Sequence, residues 1–340
     1  MNAAAPFAWG GAEELAANLV RRLDARAGVS AELIRLPYAW NPPEQLVAEI
    51  MAHRLLRITN TDRVIALKFP AYLIPHPDKT LWVLHQFRQA YDLIESGRSH
   101  LDAARNADLI EAIHRADARA FADARAIFCN SPVTRDRMAC HNGVTPEVLY
   151  PPLNDPELFT GGRDEGYVFA GGRVARGKRQ HLLVEAAALA GPSCRLVVAG
   201  PPEDEVYAAE LRALVEQHGV GDRVILELRL FDRAEIAALV NGARACAYVP
   251  FDEDSLGYVT MEAFASGKPV VTTTDSGGLL EIVHDGETGL VAEPEVDALA
   301  AALRRLTSDA ALARGMGLAA VEAWTRRNLT WDATLDRLLG

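Results

Sequence analysis

Between residues 250 and 291 the chain reads PFDEDSLGYVTMEAFASGKPVVTTTDSGGLLEIVHDGETGLV. The acidic run Asp252-Glu253-Asp254 precedes Gly257, Glu262 falls within an apolar helical pattern, and a β-branched run leads to the turn Gly277-Gly278 and then Glu281. Carboxylates accept hydrogen bonds from hydroxyls, and glycine-led helix starts offer backbone N–H groups to anions. That chemistry suits a ligand rich in both hydroxyls and phosphate, such as a nucleotide sugar. A second segment, AGGRVARGKRQ at 170–180, follows a strand and opens a helix. Its glycines, Gly172 among them, let backbone approach a ligand, and Arg173 and Lys178 add two positive charges. Charge-assisted bonds of roughly 1.5–3 kcal/mol each would stabilise a departing diphosphate. Read alone, this segment fits a solvated basic turn as well as it fits a phosphate site.

Competing motifs fail on single residues. Gly172-x4-Gly177-Lys178 is one position short of a P-loop, and Arg179 stands where a magnesium-ligating Ser or Thr is required. Neither Gly10-Gly11 nor Gly171-Gly172 extends to the GxGxxG of a dinucleotide fold. Asp252-Glu253-Asp254 could hold a hard cation, but the glycine-led helix with Glu262 eight residues after Asp254 favours a hydroxyl-binding role, so no metal is expected. The cysteines, Cys129, Cys140, Cys194 and Cys246, stand singly, without zinc or redox spacing, and no histidine pair has metal spacing.

The elements that must position these residues alternate along the whole chain between β-branched runs and amphipathic helical stretches, which predicts α/β domains with parallel sheets. In the first half a helix opens at Gly11, and strands fall at AELIRL, DRVIALKF and KTLWVLHQ. A long helix is expected over 99–122, and Ser131 and Pro132 start another. The stretch PPLNDPELFTGGRDEG reads as a linker. At 340 residues the length favours two domains on a prior of roughly 150 residues each, drawn here as 1–157 and 158–323, with a helix at 324–340 returning to the first.

The pattern from 167 to 291 resembles the retaining GT-B glycosyltransferases of family 4, in which two acidic residues eight apart bracket a glycine and a helix and a Gly-Gly-x-x-Glu turn follows. The resemblance implies a GT-B fold of two Rossmann-like domains facing a central cleft. It implies that Arg173 and Lys178 hold the donor diphosphate and that Glu262 holds the ribose. Gly277, Gly278 and Glu281 would meet the phosphates and nucleoside, while Gly10, Gly11, Gly172 and Gly257 would serve donor binding. The family carries Glu where this chain has Asp254, so either Asp254 or Glu253 takes the donor-sugar hydroxyls. In the first domain only Gly10-Gly11-Ala12-Glu13 and His85 match clearly. His85 would face the donor sugar, with Arg88, Tyr91 and the loop at 68–77 on the acceptor side. Family members begin with an apolar strand running into the Gly-Gly turn. Here only MNAAAPFAW precedes it, so the first strand is expected to be short or missing, which would leave the first sheet short of a central strand.

The function implied is retaining transfer of a sugar from a nucleotide-diphosphate donor to the hydroxyl of a saccharide or lipid-linked saccharide acceptor, as in polysaccharide, lipopolysaccharide or glycoconjugate synthesis, without a cofactor. A non-catalytic nucleotide-sugar binder would carry the same motifs. A sugar phosphorylase would need a pyridoxal-type lysine environment that the sequence does not show. Residues 1–157 hold 17 basic and 19 acidic residues, and the rest 18 and 27. This balance disfavours nucleic-acid binding. The near-neutral first half is compatible with weak peripheral contact at an anionic membrane. With no apolar run of membrane-spanning length and no signal-like start, the expectation is a cytoplasmic protein, peripheral to the inner membrane face at most.

Overall fold

The computed structural model describes residues 1–4 and 10–340 and resolves into two compact units, Met1–Pro152 with Thr330–Gly340, and Leu153–Leu329. The unit boundaries thus fall at 152/153 and 329/330, a few residues from those drawn on the sequence. The physical reason is that the expected linker is packed. Leu153, Asn154 and Phe159 are buried, the Asn241 side chain donates to the Leu158 carbonyl at 2.8 Å, and it accepts from the Gly161 N–H at 3.0 Å.

The first unit runs β1 (Asn2–Ala4), α1 (Gly11–Asp24), β2 (Arg35–Pro37), α2 (Leu46–Leu55), β3 (Val64–Ala66), β4 (Lys79–Val83), α3 (Asp92–Glu95), α4 (Ala107–Ala122), β5 (Ala126–Cys129), α5 (Pro132–Asn142) and β6 (Glu147–Val148). Strands β3 to β6 form a parallel sheet in chain order, and β1 pairs in parallel with β2. The Met1 carbonyl accepts from the Leu67 N–H at 3.2 Å, and the Met1 amine donates to the Ile65 carbonyl. Of the two expectations for the first strand, short or missing, the short one is found: β1 is three residues long, paired with β2 and tied through Met1 to Ile65 and Leu67, with Asn2 and Ala3 buried. The apolar approach to Gly10-Gly11 falls partly on residues 5–9, outside the described residues. The long helix expected from residue 99 begins at Ala107. Asp102 caps the backbone N–H groups of Ala104 and Arg105, and Asn106 caps that of Asp102, so side chains hold this stretch in a turn. At α5 the expected cap forms, with the Ser131 hydroxyl accepting from the Thr134 N–H at 3.1 Å.

Strand β4 shows how the pattern builds the core. Leu81 and Val83 enter one apolar cluster, while Trp82 and the following Leu84 enter another on the opposite face, as the two-residue period requires. The second cluster is closed by the C-terminal helix, whose Trp331, Leu335 and Leu338 pack with Leu15, Leu19 and Leu23 of α1. Each buried leucine is worth about 1.5–3 kcal/mol.

The second unit runs β7 (Tyr167–Gly171), α6 (Gln180–Ala190), β8 (Arg195–Ala199), α7 (Glu205–Gln217), β9 (Val224–Glu227), α8 (Arg233–Gly242), β10 (Ala245–Ala247), α9 (Tyr258–Ala265), β11 (Val270–Thr273), β12 (Gly289–Ala292), α10 (Val296–Ser308) and α11 (Ala310–Arg327); α12 (Trp331–Leu339) is the helix that returns to the first unit. The sheet order is β12-β11-β10-β7-β8-β9, all parallel. The strand order reverses between β7 and β10. In an open parallel sheet, ligands gather beyond the carboxyl ends of the strands at such a switch point.

One buried group in the first unit makes a thermodynamic statement. Asp117 of α4 is fully buried and accepts from the hydroxyls of Tyr72 at 3.0 Å and Tyr91 at 2.8 Å. Burial pushes its carboxyl up to about 7, against the pull of the two phenols. A carboxyl raised on folding favours the fold fully below its ordinary value of 3.8, and that contribution is lost as pH rises toward 7. Asp117→Asn should therefore gain thermal stability relative to the parent between about pH 5 and about pH 8. A difference in Tm that stays constant over that range would show the carboxyl to be ionised throughout.

Candidate functional site

Two loops flank the switch point of the second unit, one after β7 and one after β10. The first carries Gly172, Arg173 and Lys178. Val174 pairs with the loop after β8, donating to the Pro201 carbonyl at 2.9 Å and accepting from the Glu203 N–H at 2.8 Å. This sets Arg173 beside Glu203 at 3.2 Å, with both side chains nearly half exposed, a pair worth little to stability. The loop ends in a single 3-10 turn, Arg176–Lys178, and α6 starts only at Gln180, because Arg179 takes a left-handed conformation with φ of 54°. Lys178 therefore precedes the helix, where the sequence placed it within the helix's start.

The second loop brings Glu253 to Lys178. The ammonium donates to the Glu253 carboxylate, which also accepts from the Tyr248 hydroxyl at 3.0 Å, and the Lys178 Nζ stands 5.3 Å from the centre of the Tyr248 ring. Burial alone would lower the lysine, but contact with the Tyr248 oxygen and the charge and hydrogen bond of Glu253 hold it above its ordinary value. Burial, with the Glu253 charge, pushes the Tyr248 phenol up. Lys178 is thus a cation at any physiological pH.

The Gly277-Gly278 turn is hydrogen-bonded to the same loop. The Gly278 N–H donates to the Glu253 carbonyl at 2.8 Å, and the Glu253 N–H to the Ser276 carbonyl at 3.2 Å. A side-chain carbon at Gly277, where φ is 69°, would lie 2.5 Å from the Glu253 carbonyl oxygen, and one at Gly278 would lie 2.7 Å from that of Ser255. Only glycine permits this approach. Gly257 caps α9 at its N-terminus and packs against Tyr248, while Gly172 faces Val259 on α9. Lys178, Glu253, Asp254, Gly257, Gly277 and Gly278 are thus gathered in one region.

Glu262 is not an exposed helix residue; it is buried to 4 % exposure on α9. Its carboxylate accepts from Arg233, the first residue of α8, which also donates to the Asn154 carbonyl at 2.8 Å and lies 4.6 Å from the centre of the Phe159 ring. Glu281, at the end of a 3-10 turn, accepts from Arg327 at 3.2 Å, and its carbonyl accepts from the same guanidinium at 3.1 Å. Gly10, Gly11 and His85 belong to the first unit. Gly10 caps α1 and Gly11 begins it. Near them Glu13 accepts from Lys68 at 2.9 Å and from Asn2 at 3.1 Å. His85 follows β4, and its Nδ1–H donates to the Gln86 carbonyl at 2.8 Å, which leaves Nε2 as the lone-pair nitrogen of the neutral ring. Among the described residues, no group of three His, Cys, Asp or Glu is placed to hold a metal ion.

Sequence reasoning used Arg179 only to reject a P-loop and missed its role. Its guanidinium donates to the carbonyls of Val249 at 2.8 Å and Pro250 at 2.9 Å, to the Thr273 hydroxyl at 2.8 Å, and to both oxygens of Asp275 at 2.7 and 2.8 Å. Burial would raise Asp275, but the bonds from Arg179 and Thr273 hold its carboxyl below the ordinary value. Arg233 and Arg327 were missed too. Their partners are 29 and 46 residues away in sequence, and only the adjacency of Asp232 and Arg233 at a helix start gave any signal.

The fold is α/β with parallel sheets of the GT-B glycosyltransferase kind. The chain superimposes on Anabaena HepE, solved with UDP and glucose, with a TM-score of 0.71 at 18% identity over 99% of this chain and 97% of that one. WaaG, a glycosyltransferase involved in lipopolysaccharide biosynthesis, gives 0.71 at 16% identity over 100% and 99%. Residues 160–322 match the family described as glycosyl transferases group 1. The D-inositol 3-phosphate glycosyltransferase of Mycobacterium avium (strain 104) is 37% identical over 182 residues, 52% of this chain and 41% of that protein. That of Mycobacterium marinum (strain ATCC BAA-535 / M) is 33% identical over 204 residues, 58% and 43%. The chain thus spans about two fifths of the length of these relatives.

If the Arg179 fork holds the two loops together, Arg179→Lys should lower unfolding free energy by about 2–4 kcal/mol, since one ammonium cannot satisfy five acceptors and Asp275 loses its bidentate partner. An unchanged denaturant midpoint would show the fork to be dispensable.

Proposed function

We propose that this chain is a retaining glycosyltransferase that moves a sugar from a nucleotide-diphosphate donor to an acceptor hydroxyl. The observation that carries the reading is the Lys178–Glu253 contact at the switch point, bound by backbone to the Gly277-Gly278 turn. A fixed cation, glycine-opened backbone and carboxylates stand where an open parallel sheet binds its ligand. The match over 160–322 to group 1 glycosyltransferases supports the same reading.

In this mechanism Lys178 and Arg173 hold the diphosphate, and their charge favours the transition state because negative charge grows on the leaving oxygen. Glu262 takes the ribose hydroxyls. Gly172, Gly257, Gly277, Gly278 and Glu281 frame the phosphates and nucleoside. Gly10, Gly11 and His85 contribute from the first unit, His85 toward the donor sugar. The bond from the anomeric carbon to the phosphate oxygen breaks as the bond from that carbon to the acceptor oxygen forms on the same face. The acceptor proton passes to an oxygen of the departing phosphate, so no separate general-base dyad is needed. Neither a metal nor a cofactor takes part. Asp254, which keeps the eight-residue interval to Glu262, is the residue that meets the donor-sugar hydroxyls. The acceptor is a saccharide or lipid-linked saccharide, reached in the cytoplasm or at the inner membrane face. No helix among the described residues is long and apolar enough to cross a membrane.

Thermal-shift screening against a panel of nucleotide sugars, followed by product analysis with the donor that binds, tests the reading. Lys178→Ala and Arg173→Ala should each lower turnover on the order of 10²-fold with the fold intact, and near-normal turnover in both would remove the diphosphate assignment. Activity should survive exhaustive EDTA treatment. Loss of activity restored by a divalent ion would make the acidic run a metal site.

Between the two carboxylates, Asp254→Asn should cut transfer at saturating donor far more than Glu253→Gln. The reverse order would give the sugar to Glu253.

A further inference from the structure

The first unit carries a run of buried polar side chains that includes Tyr91, expected on the acceptor side but buried, and Tyr72 of the loop at 68–77. It starts at Asp117 on α4, whose two carboxylate oxygens accept separately from the Tyr72 and Tyr91 hydroxyls. The Tyr91 oxygen in turn accepts from the Asn142 side-chain amide at 3.1 Å, at the last residue of α5. The Asn142 carbonyl oxygen accepts from the Gln86 amide, and Gln86 is buried. The Gln86 backbone carbonyl is the acceptor for the His85 Nδ1–H. The ring of Tyr91 is fixed by His114, stacked at 4.4 Å with an interplanar angle of 17° and itself bonded to the Ala90 carbonyl at 2.8 Å.

Buried polar groups that are fully connected in this way define one geometry and are costly to break. The two phenols differ in a useful way. Both donate to Asp117, but only Tyr91 passes the connection on. The chain from Asp117 through Tyr91 and Asn142 ends on the residue after His85, at the peptide whose carbonyl sets the His85 tautomer.

We propose that Asp117, Tyr91, Asn142 and Gln86 are positioning residues that fix the loop after β4 and orient the His85 ring, with Nδ1–H on the Gln86 carbonyl and Nε2 left as the nitrogen that can face the donor. The proposal rests on the reading of His85 as a group that meets the donor sugar, and deepens it by naming what aims the ring. None of the four residues need touch substrate. Misplacing a reacting group by about 1 Å can cost on the order of 10²-fold in rate.

The experiment compares Tyr91→Phe with Tyr72→Phe in the full chain. Each removes one hydrogen bond to Asp117 and keeps its ring, so a purely structural role predicts similar consequences for both. The proposal expects the His85 ring signals, assigned with His85→Gln in a histidine-labelled NMR spectrum, to move in Tyr91→Phe and to stay in place in Tyr72→Phe. Movement in both variants or in neither overturns it. If Tyr91→Phe does not fold, Asn142→Ser at the half-buried end of α5 cuts the same connection and is read in the same way. With whichever nucleotide sugar the parent turns over, Tyr91→Phe should lower kcat about tenfold or more with donor KM unchanged. A shifted His85 signal with unchanged kcat overturns the link to the reaction. A parent that turns over no nucleotide sugar instead refutes the functional reading, and the His85 spectra still decide the hydrogen-bond chain.

Discussion

The guanidinium of Arg179 joins the carboxyl end of β10, through the carbonyls of Val249 and Pro250, to the carboxyl end of β11, through Thr273 and Asp275. It does so from the left-handed residue that separates the β7 loop from α6, so three chain segments are bound to one planar group. A backbone carbonyl at a strand end has lost its ladder partner and must find another donor or pay the cost of burial unsatisfied. Five acceptor positions around one guanidinium satisfy that requirement with fixed directions, which an ammonium cannot reproduce. The distance between the β7 loop and the β10 loop, and hence the contact of Lys178 with Glu253, follows from it. Arg179 needs no contact with any ligand to matter.

Around this frame the charges occur in pairs. Lys178 meets Glu253, Arg233 meets Glu262, Arg327 meets Glu281 and Arg173 meets Glu203. A half-buried charge left without a partner would cost several kcal/mol, so pairing keeps the loops folded with their charges in place. On the proposed reading, an incoming diphosphate competes with Glu253 for the lysine, and its affinity is the difference between two strong interactions. The gain is preorganisation: the cation is already desolvated and directed, so little reorganisation remains when charge develops on the leaving group. The Arg173–Glu203 pair is the looser of these, nearly half exposed on both sides, and that side chain can reorient at small cost.

Much of the second unit was legible in the sequence because its signals are local. The spacing from Asp254 to Glu262, the glycines at 257, 277 and 278 and the β-branched run at 270–273 lie within a few turns of one another. The αβ alternation likewise placed the strands and helices, since a two-residue or 3.6-residue period is visible in any short window. What stayed hidden depends on contacts between distant segments. Arg179 and Asp275 are 96 residues apart and Arg233 and Glu262 are 29 apart, and no pattern within one segment reports such a pair. The packed linker failed for a different reason: Pro, Gly and Asp mark a turn, but whether the turn is solvated depends on Asn241 and Arg233, which come later in the chain. Strand β1 could be read only as short or missing, because three small residues carry almost no hydrophobic signal and its place is set by hydrogen bonds to β2 and to Ile65 and Leu67.

The two units solve the same positioning problem with different chemistry. In the second, loops at the switch point are bound by a guanidinium and by ion pairs, interactions strong enough to hold glycine-rich backbone in a single form. In the first, the loop after β4 is bound by neutral side chains, two phenols and two amides, around one carboxyl that burial brings near neutrality. A diphosphate calls for fixed positive charge, and the carboxylates that hold that charge in place come with it. The polar chain ending at the Gln86 carbonyl sets the orientation of His85 through a hydrogen bond and keeps the buried carboxyl of Asp117 four hydrogen bonds away.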